Sequence, residues 1–547
     1  MTDTNTIIDN AILLDPMHGV AYEPRTVQIK NGIVQDQDVE PETPPEHIDA
    51  GGRIVVPGGI LPSVRLPPAR ANLLKNLPAR LERSLLMTGF TTAIFEGMTP
   101  FSALDQHAII QRVRAINKVP ILDIANNQLM LGFLKNGVTN YASELARMLL
   151  ERYRAFGISC FQPGSTARWK NVPVGPKVAF QPIPFGGMTP VKIISETIKT
   201  RAAMNLQPVV LTDLGLDAAP TSFEDLDAVV QAIESDAQAG DSGTGSDVGI
   251  VQASLLSASA LDSGDTINDK AKALCDLLEG HERVAFFLDI PGDIRQDTAI
   301  VELGPSSIHH VEDVTWRSSI EGEVEVLGTS VKARESRVLL ERASLSSLAL
   351  VLDASERIRE RLCFSLLPQI LHDPGQIAAI LATMVCADAR KRLFSEPSEE
   401  SIGNVFDSLE GKIITLEELI RITRCVPARL LGIDAVVGGL GSGQFGDAII
   451  LNAKQEDLDG ILADRDRTLD LLENPHAVIK EGNLLVSEGR MNARSKAPTF
   501  QCKIEKNESI ANSISDNFTK QFVKYYSTHV ETKDIPERFT DPVHVVS

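Results

Sequence analysis

Apolar and polar residues alternate through residues 6–58, in TIIDNAILLDPMHGVAYEPRTVQIKNGIVQD and beyond, between turns that contain Gly, Pro and Asn. Alternation with period two puts successive side chains on opposite faces of a strand, so this stretch predicts half-buried β structure. Asn31-Gly32 predicts a tight hairpin, since both residues tolerate positive φ. Residues 36–49 are polar and proline-rich and predict a loop. The same alternation returns at 438–491, in GGLGSGQFGDAIILNAK and HAVIKEGNLLVSEGRMN. Both chain ends are therefore expected to build one small β-sandwich flanking a central domain.

Between them the period changes. Short apolar runs at Thr91–Glu96, Val119–Ile124, Gly157–Gln162, Pro208–Thr212, Gly249–Ala253, Val284–Ile290 and Arg361–Leu366 predict strands. Stretches such as YASELARMLLERYRAF and PVKIISETIKTRAAM carry their apolar residues at helical spacing. Strands alternating with helices predict βαβ units and a parallel sheet, and about eight of them predict a TIM-like (β/α)8 barrel. AGDSGTGSD at 239–247 and SEPSEESIG at 395–403 read as surface loops. The expected division is an α/β chain with a β-sandwich from 1–58 and 436–495. The barrel takes 59–435, and an extension with one amphipathic helix takes 496–547.

Composition narrows the function classes. A chain of 547 residues exceeds one ordinary core. Its net charge of −20, from 53 basic and 73 acidic side chains, lacks the basic footprint of a nucleic-acid binder. No apolar run reaches about 18 residues, so no membrane span is expected. The start, MTDTNTIIDN, lacks a secretory pattern, and the six scattered cysteines form no CxxC; both suggest a reduced, cytoplasmic setting.

Candidate chemistry begins at residues 53–72, RIVVPGGILPSVRLPPARAN: a strand, a Pro-Gly-Gly turn, a second strand and a loop. Further distinctive pieces are TGFTTAIFEGMTP at 88–100, VPILDIANNQLMLGFLKNG at 119–137 and AFGISCFQPGSTARWKN at 155–171. Later come the MTPVKII helix start at 188–194, LEELIRITRCVPARLLGI at 416–433, VIKEGNLLVSEG at 478–489 and FVKYYST at 522–528. On these pieces, from about residue 6 to 540, the chain resembles the amidohydrolase-type subunit of formylmethanofuran dehydrogenase. It is also similar to the homologous subunit of the bacterial formyltransferase/hydrolase complex; both belong to the amidohydrolase superfamily. GLGSGQFGDAIIL matches a late motif of that superfamily, with Phe445-Gly446 where Ala is usual. The resemblance implies an amidohydrolase that releases formate from an N-formylated, furan-type one-carbon carrier. It also implies partners: a formyltransferase subunit, with the other subunits of a one-carbon complex.

The departures from the family pattern fall on its chemistry. The resemblance implies two zinc ions held by His-x-His, a carboxylated Lys, two further His and a strand-eight Asp. Here Ser63 and Arg65 replace the His pair, and Ser159 stands where the bridging Lys belongs. Leu211 and Thr212 occupy the fifth-strand ligand place, Gln252 and Ser257 the sixth-strand His places, and Leu366 that of the catalytic Asp. His, Asp and Glu are expected to be sparse at these strand ends, so neither a catalytic residue nor a bound zinc is expected.

Other groups carry two readings. His309 and His310, followed by Glu312 and Asp313, read as a solvated loop, because neighbours on a strand point apart. His372-Asp373-Pro374 reads as a helix start, His107 as an exposed helix residue, and His18 and His47 as parts of the β-domain. Cys160 has no nearby His base and reads as a buried thiol. Arg65, Arg70, Arg168 and Lys170, with Trp169 beside them, either line a pocket for the carrier's acidic tail or are scattered surface charge. Arg65 is expected to replace the metal charge and to pair with Glu96 or Asp213. Two functions compete, a scaffold component whose hydrolytic site has decayed and an active N-formyl hydrolase that uses residual or relocated groups; a subunit recruited to an unrelated partner is the third alternative.

Overall fold

The computed structural model describes residues 5–36, 44–65, 77–125, 127–161, 163, 187–204, 210–213, 223–237, 249–253, 267–282, 284–290, 302–303, 316–318, 324–327, 348–366, 374–393, 409, 411–491, 495–503, 508–526, 528–540 and 542–545. Strands β1 (Asn5–Asp15), β2 (Val20–Lys30), β3 (Ile33–Gln35), β4 (Glu46–Asp49) and β5 (Arg53–Pro57) open the chain. Lys30 pairs with Ile33 across Asn31 and Gly32, whose φ angles of 54° and 84° make the expected two-residue turn.

The central strands follow: β6 (Gly59–Arg65), β7 (Phe90–Met98), β8 (Asn117–Asp123), β9 (Gly157–Phe161), β10 (Val210–Asp213), β11 (Gly249–Ala253) and β12 (Val284–Ile290). A small three-stranded sheet, β13 (Glu302–Leu303), β14 (Trp316–Ser318) and β15 (Val324–Leu327), comes before β16 (Leu362–Leu366). The predicted central strands recur within two residues of these bounds. Helices fall between them where the apolar spacing puts them, among them Thr139–Arg152 and Pro190–Ala202. The second starts where Thr189 Oγ1 accepts the amide of Lys192 and Pro190 fills the first turn.

The chain ends with β17 (Ala448–Lys454), β18 (Ala477–Lys480), β19 (Asn483–Ser487), β20 (Arg490–Met491), β21 (Thr499–Cys502) and β22 (Pro542–Val545). The expected sandwich takes a different form. Strands from both ends join one nine-stranded sheet, ordered β20-β19-β18-β17-β5-β1-β2-β3, with β4 also paired to β1. The sheet bends back because residues just before β17 meet the β2–β3 hairpin. The Val34 amide donates to the Gln444 carbonyl at 2.8 Å, and the Gly446 amide to Gly32 at 2.8 Å.

Strands β6 to β12 and β16 pair in chain order, all parallel. One face packs on helices: Leu61, Val64, Phe95, Leu122, Ile158 and Phe286 share a cluster with Leu81, Leu145 and Ile193. The other face gathers Ile60, Ile94, Val119, Ile121, Ala285, Phe287 and Cys363 with Val426 and Phe500. Residues of the first and last central strands thus meet in one core, and β6 lies against β16. Among the described residues no hydrogen-bonded ladder joins β16 to β6, so the architecture they show is a mixed α/β fold with a strongly curled parallel sheet.

The C-terminal extension belongs to this body. β21 adds to β8 at Lys118, β22 adds to β21, and the helix Glu508–Tyr526 buries Ile514, Phe518 and Phe522. Among the described residues no helix is long and apolar enough to cross a membrane.

One buried polar knot joins the two sheets. Lys480 Nζ lies 3.0 Å from Asp447 Oδ1 and 2.6 Å from Glu481 Oε1. Asp447 also accepts from Asn117 at the start of β8, at 3.1 Å, and Asn117 donates to Thr92 of β7 at 3.0 Å. The Asp of the late sequence motif is thus a structural anchor beneath the central sheet, away from the strand ends where chemistry is placed.

Candidate functional site

In a parallel α/β sheet the C-terminal strand ends form the mouth where loops and chemistry collect. Here β6 and β7 are both irregular at that end. Leu61 to Val64 spans one more residue on β6 than Ala93 to Phe95 on β7. Phe95 to Met98 likewise spans one more than Pro120 to Leu122 on β8, at Gly97 with φ 75°. A bulge turns the local side chain off its regular line, and Gly takes this φ without a Cβ clash. The result is a close pair: Ser63 Oγ donates to Glu96 Oε2 at 2.9 Å, with the two residues 3% and 2% exposed.

Asp123, at the end of β8, is buried and in register with Ser159 of β9. Cys160 Sγ lies 4.0 Å from the Thr197 hydroxyl on the helical side, so strand alternation directs Ser159 to the opposite face. Burial pushes the Cys160 thiol well above its ordinary pKa, as suits an inert core thiol.

Carboxylates do stand at strand ends beside those of the expected ligand places. Glu96, Asp123, Asp213 and Asp289 terminate or nearly terminate β7, β8, β10 and β12, with Asp289 in register with Ser365. Glu96 and Asp213 enter the sequence reading only as partners for Arg65; Asp123 and Asp289 escape it because a search for His and Lys ligands looks past acids in apolar strands. The EGM of β7 and the LD endings of β8 and β12 are the available signal.

The other expected residues divide as follows. Arg65 stands in backbone register with Glu96, and Asp213 with Phe161 on β9. Leu211 is in register with Ser159, Gln252 with Phe287, and Leu366 with Ile290. Ser257, Arg70, Arg168, Trp169, Lys170, His309, His310, His372 and Asp373 lie outside the described residues, as do the loops 239–247 and 395–403.

His107 is a correction. It is 1% exposed, and its Nε2 lies 2.9 Å from the Tyr153 carbonyl. The helix Ala103–Ile110 turns this face inward under the chain that follows Arg152. His47 lies on β4 of the terminal sheet and His18 in the short turn between β1 and β2, and they pair with Asp9 at 2.6 Å and Asp15 at 2.7 Å.

The described mouth does not fit a two-zinc centre. Its hydroxyls and carboxylates include no imidazole, and Ser63 is committed to Glu96. Among the described residues no group of three or more His, Cys, Asp or Glu is placed to hold a metal ion.

Known proteins place this frame. No protein-family model matches the chain. Protein FwdA of Methanocaldococcus jannaschii is 21% identical over 99% of this chain and 98% of its own. The similarity to FwdA runs from end to end. Among solved structures, the formyltransferase/hydrolase complex FhcABCD of Methylorubrum extorquens, determined with methylofuran, contains a chain matching at a TM-score of 0.76. That match has 17% identity and covers 99% of both chains. A D-aminoacylase solved with copper matches at a TM-score of 0.51 and 11% identity, over 92% of this chain and all of its own. The chain therefore shares its fold, over 99% of its length, with that chain of the formyltransferase/hydrolase complex.

Proposed function

We propose that this chain is the amidohydrolase-type subunit of a formyltransferase/hydrolase-like complex of one-carbon metabolism, with a mouth that has left two-zinc hydrolysis. The observation that carries the proposal is the full-length match, which spans both chain ends as well as the central sheet. The parallel sheet is read as a (β/α)8 barrel closed between β16 and β6, because their inner residues already share one core. The division at about residues 58, 435 and 495 is kept as a proposal. In this reading the chain holds the assembly together and guides the furan-type carrier.

Two measurements test the proposal. Elemental analysis of the purified chain is expected to find no stoichiometric zinc; about two ions per chain, removable by a chelator, overturn the decayed-site reading. Purification from the native cell is expected to bring down other subunits of the complex. A monomer without formyltransferase or companion subunits contradicts membership. Phe90–Met98 is entirely buried and Phe522 is core, so these parts of two family-like segments are not open to a partner.

The second reading, an active N-formyl hydrolase, is favoured by one observation, the Ser63–Glu96 pair in the place of a metal ligand.

A further inference from the structure

We propose that Ser63 and Glu96 form a metal-independent acyl-accepting dyad, with Ser63 as nucleophile and Glu96 as its proton acceptor. The inference deepens the second reading above and takes its substrate class, an N-formyl amine, from it. Three features support it. The hydroxyl donates directly to the carboxylate at 2.9 Å, the reach required of a nucleophile and its base. The pair lies at the C-terminal ends of neighbouring parallel strands, where this fold performs chemistry. Both strands carry an extra residue at this point, one beside Ser63 and one at Gly97, and such bulges re-aim side chains next to active sites. A regular ladder would be simpler to fold and would set these side chains on their ordinary lines.

The chemistry balances without a cofactor. Ser63 Oγ adds to the formyl carbon as its proton passes to the Glu96 carboxylate. The tetrahedral species collapses by breaking the C–N bond, and the amine nitrogen leaves with the proton from Glu96. A formyl ester remains on Ser63. Water then adds to that carbon, giving one proton to Glu96; the bond to Oγ breaks, Oγ recovers that proton, and formic acid departs, ionising to formate by releasing its remaining proton to solvent. Both residues are almost fully buried, so only a small guest entering the mouth reaches them.

The test uses the full chain, treated with chelator and given 4-nitrophenyl formate, a small activated formyl donor. The expected result is a stoichiometric burst of nitrophenolate and a formyl group on the peptide containing Ser63. Ser63→Ala is expected to lose both, and Glu96→Gln to slow the burst by about 10²–10³-fold, within the usual range for a positioned acid–base group. Ser63→Cys keeps a nucleophile of similar size and is expected to retain labelling, which separates loss of chemistry from loss of fold. A folded parent protein that acquires no formyl group on Ser63, or an equal burst from Ser63→Ala, overturns the dyad. Neither outcome touches complex membership, which co-purification reads separately. If instead the chain is labelled on Ser63 but brings down no companion subunit, the dyad stands and the assembly reading falls.

Discussion

Lys480→Met is expected to destabilise the folded chain by about 3–5 kcal/mol, the cost of breaking a buried ion pair from one side. Lys480 is 0% exposed, and its ammonium meets two carboxylates and lies 5.3 Å from the centre of the Phe445 ring. Burial works against the cation, but Asp447 and Glu481 outweigh it and hold its pKa above the ordinary lysine value. Methionine fills similar space and leaves Asp447 buried without its counter-charge, though still bonded to Asn117 and the Glu481 amide. Because the knot joins β17 and β18 to β7 and β8, the loss is expected to loosen the terminal sheet from the central one. Asp447→Asn in the Lys480→Met background is expected to recover part of the loss, since the more deeply buried of the two carboxylates then carries no charge. Urea unfolding of the three proteins reads the effect. A loss below about 1 kcal/mol for Lys480→Met, the range of exposed pairs, contradicts the assignment.

The second large effect is acid destabilisation through His107. Burial pushes its pKa down to about 4; the hydrogen bond to the Tyr153 carbonyl opposes this and the Arg154 cation adds to it. Nε2 faces that carbonyl, so it carries the proton of the neutral ring. In the unfolded chain the imidazole titrates near its ordinary value of about 6.5. Above that pH both states are neutral and the group adds no pH dependence. As pH falls below about 6.5 the unfolded state takes up a proton that the folded state refuses, and stability drops until pH reaches about 4. A depression of this size corresponds to about 3 kcal/mol. His107→Gln, which keeps a donor toward Tyr153 without the titration, is expected to flatten the stability profile between pH 6.5 and 4 by about one proton. Parallel profiles for parent and variant contradict it. A protonated His107 also threatens the C-terminal extension. The neighbouring contacts Lys533–Asp105, at 3.7 Å, and Arg152–Asp534, at 2.7 Å, fasten that segment to the same helices.

The site was legible in parts. That Ser63 and Arg65 stand where the resemblance would put a His-x-His pair is readable in the sequence, because the Pro-Gly-Gly turn marks the place. The partner of Ser63 was not legible. Glu96 lies 33 residues further on, and its approach depends on two bulges that no apolar pattern announces. His107 escapes a sequence reading for a related reason: one polar residue on a helix counts as solvent-facing until a backbone carbonyl 46 residues away turns out to satisfy it.

By itself the sequence determined most of the elements, although the stretch 36–49 that reads as a loop ends in the strand β4, which only its pairing with β1 makes. The period-two ends, the apolar runs with helices between them, and the Asn31-Gly32 turn follow from local alternation and φ preference, which need no distant partner. Tertiary structure decided which elements meet. Both chain ends fuse into one sheet because β17 chose β5 as its neighbour, and the extension joins the central sheet through β8. It also decided how the carboxylates serve. Asp447 is an anchor and Glu96 the partner of a serine, because a carboxylate's role depends on the charges and donors that burial brings against it.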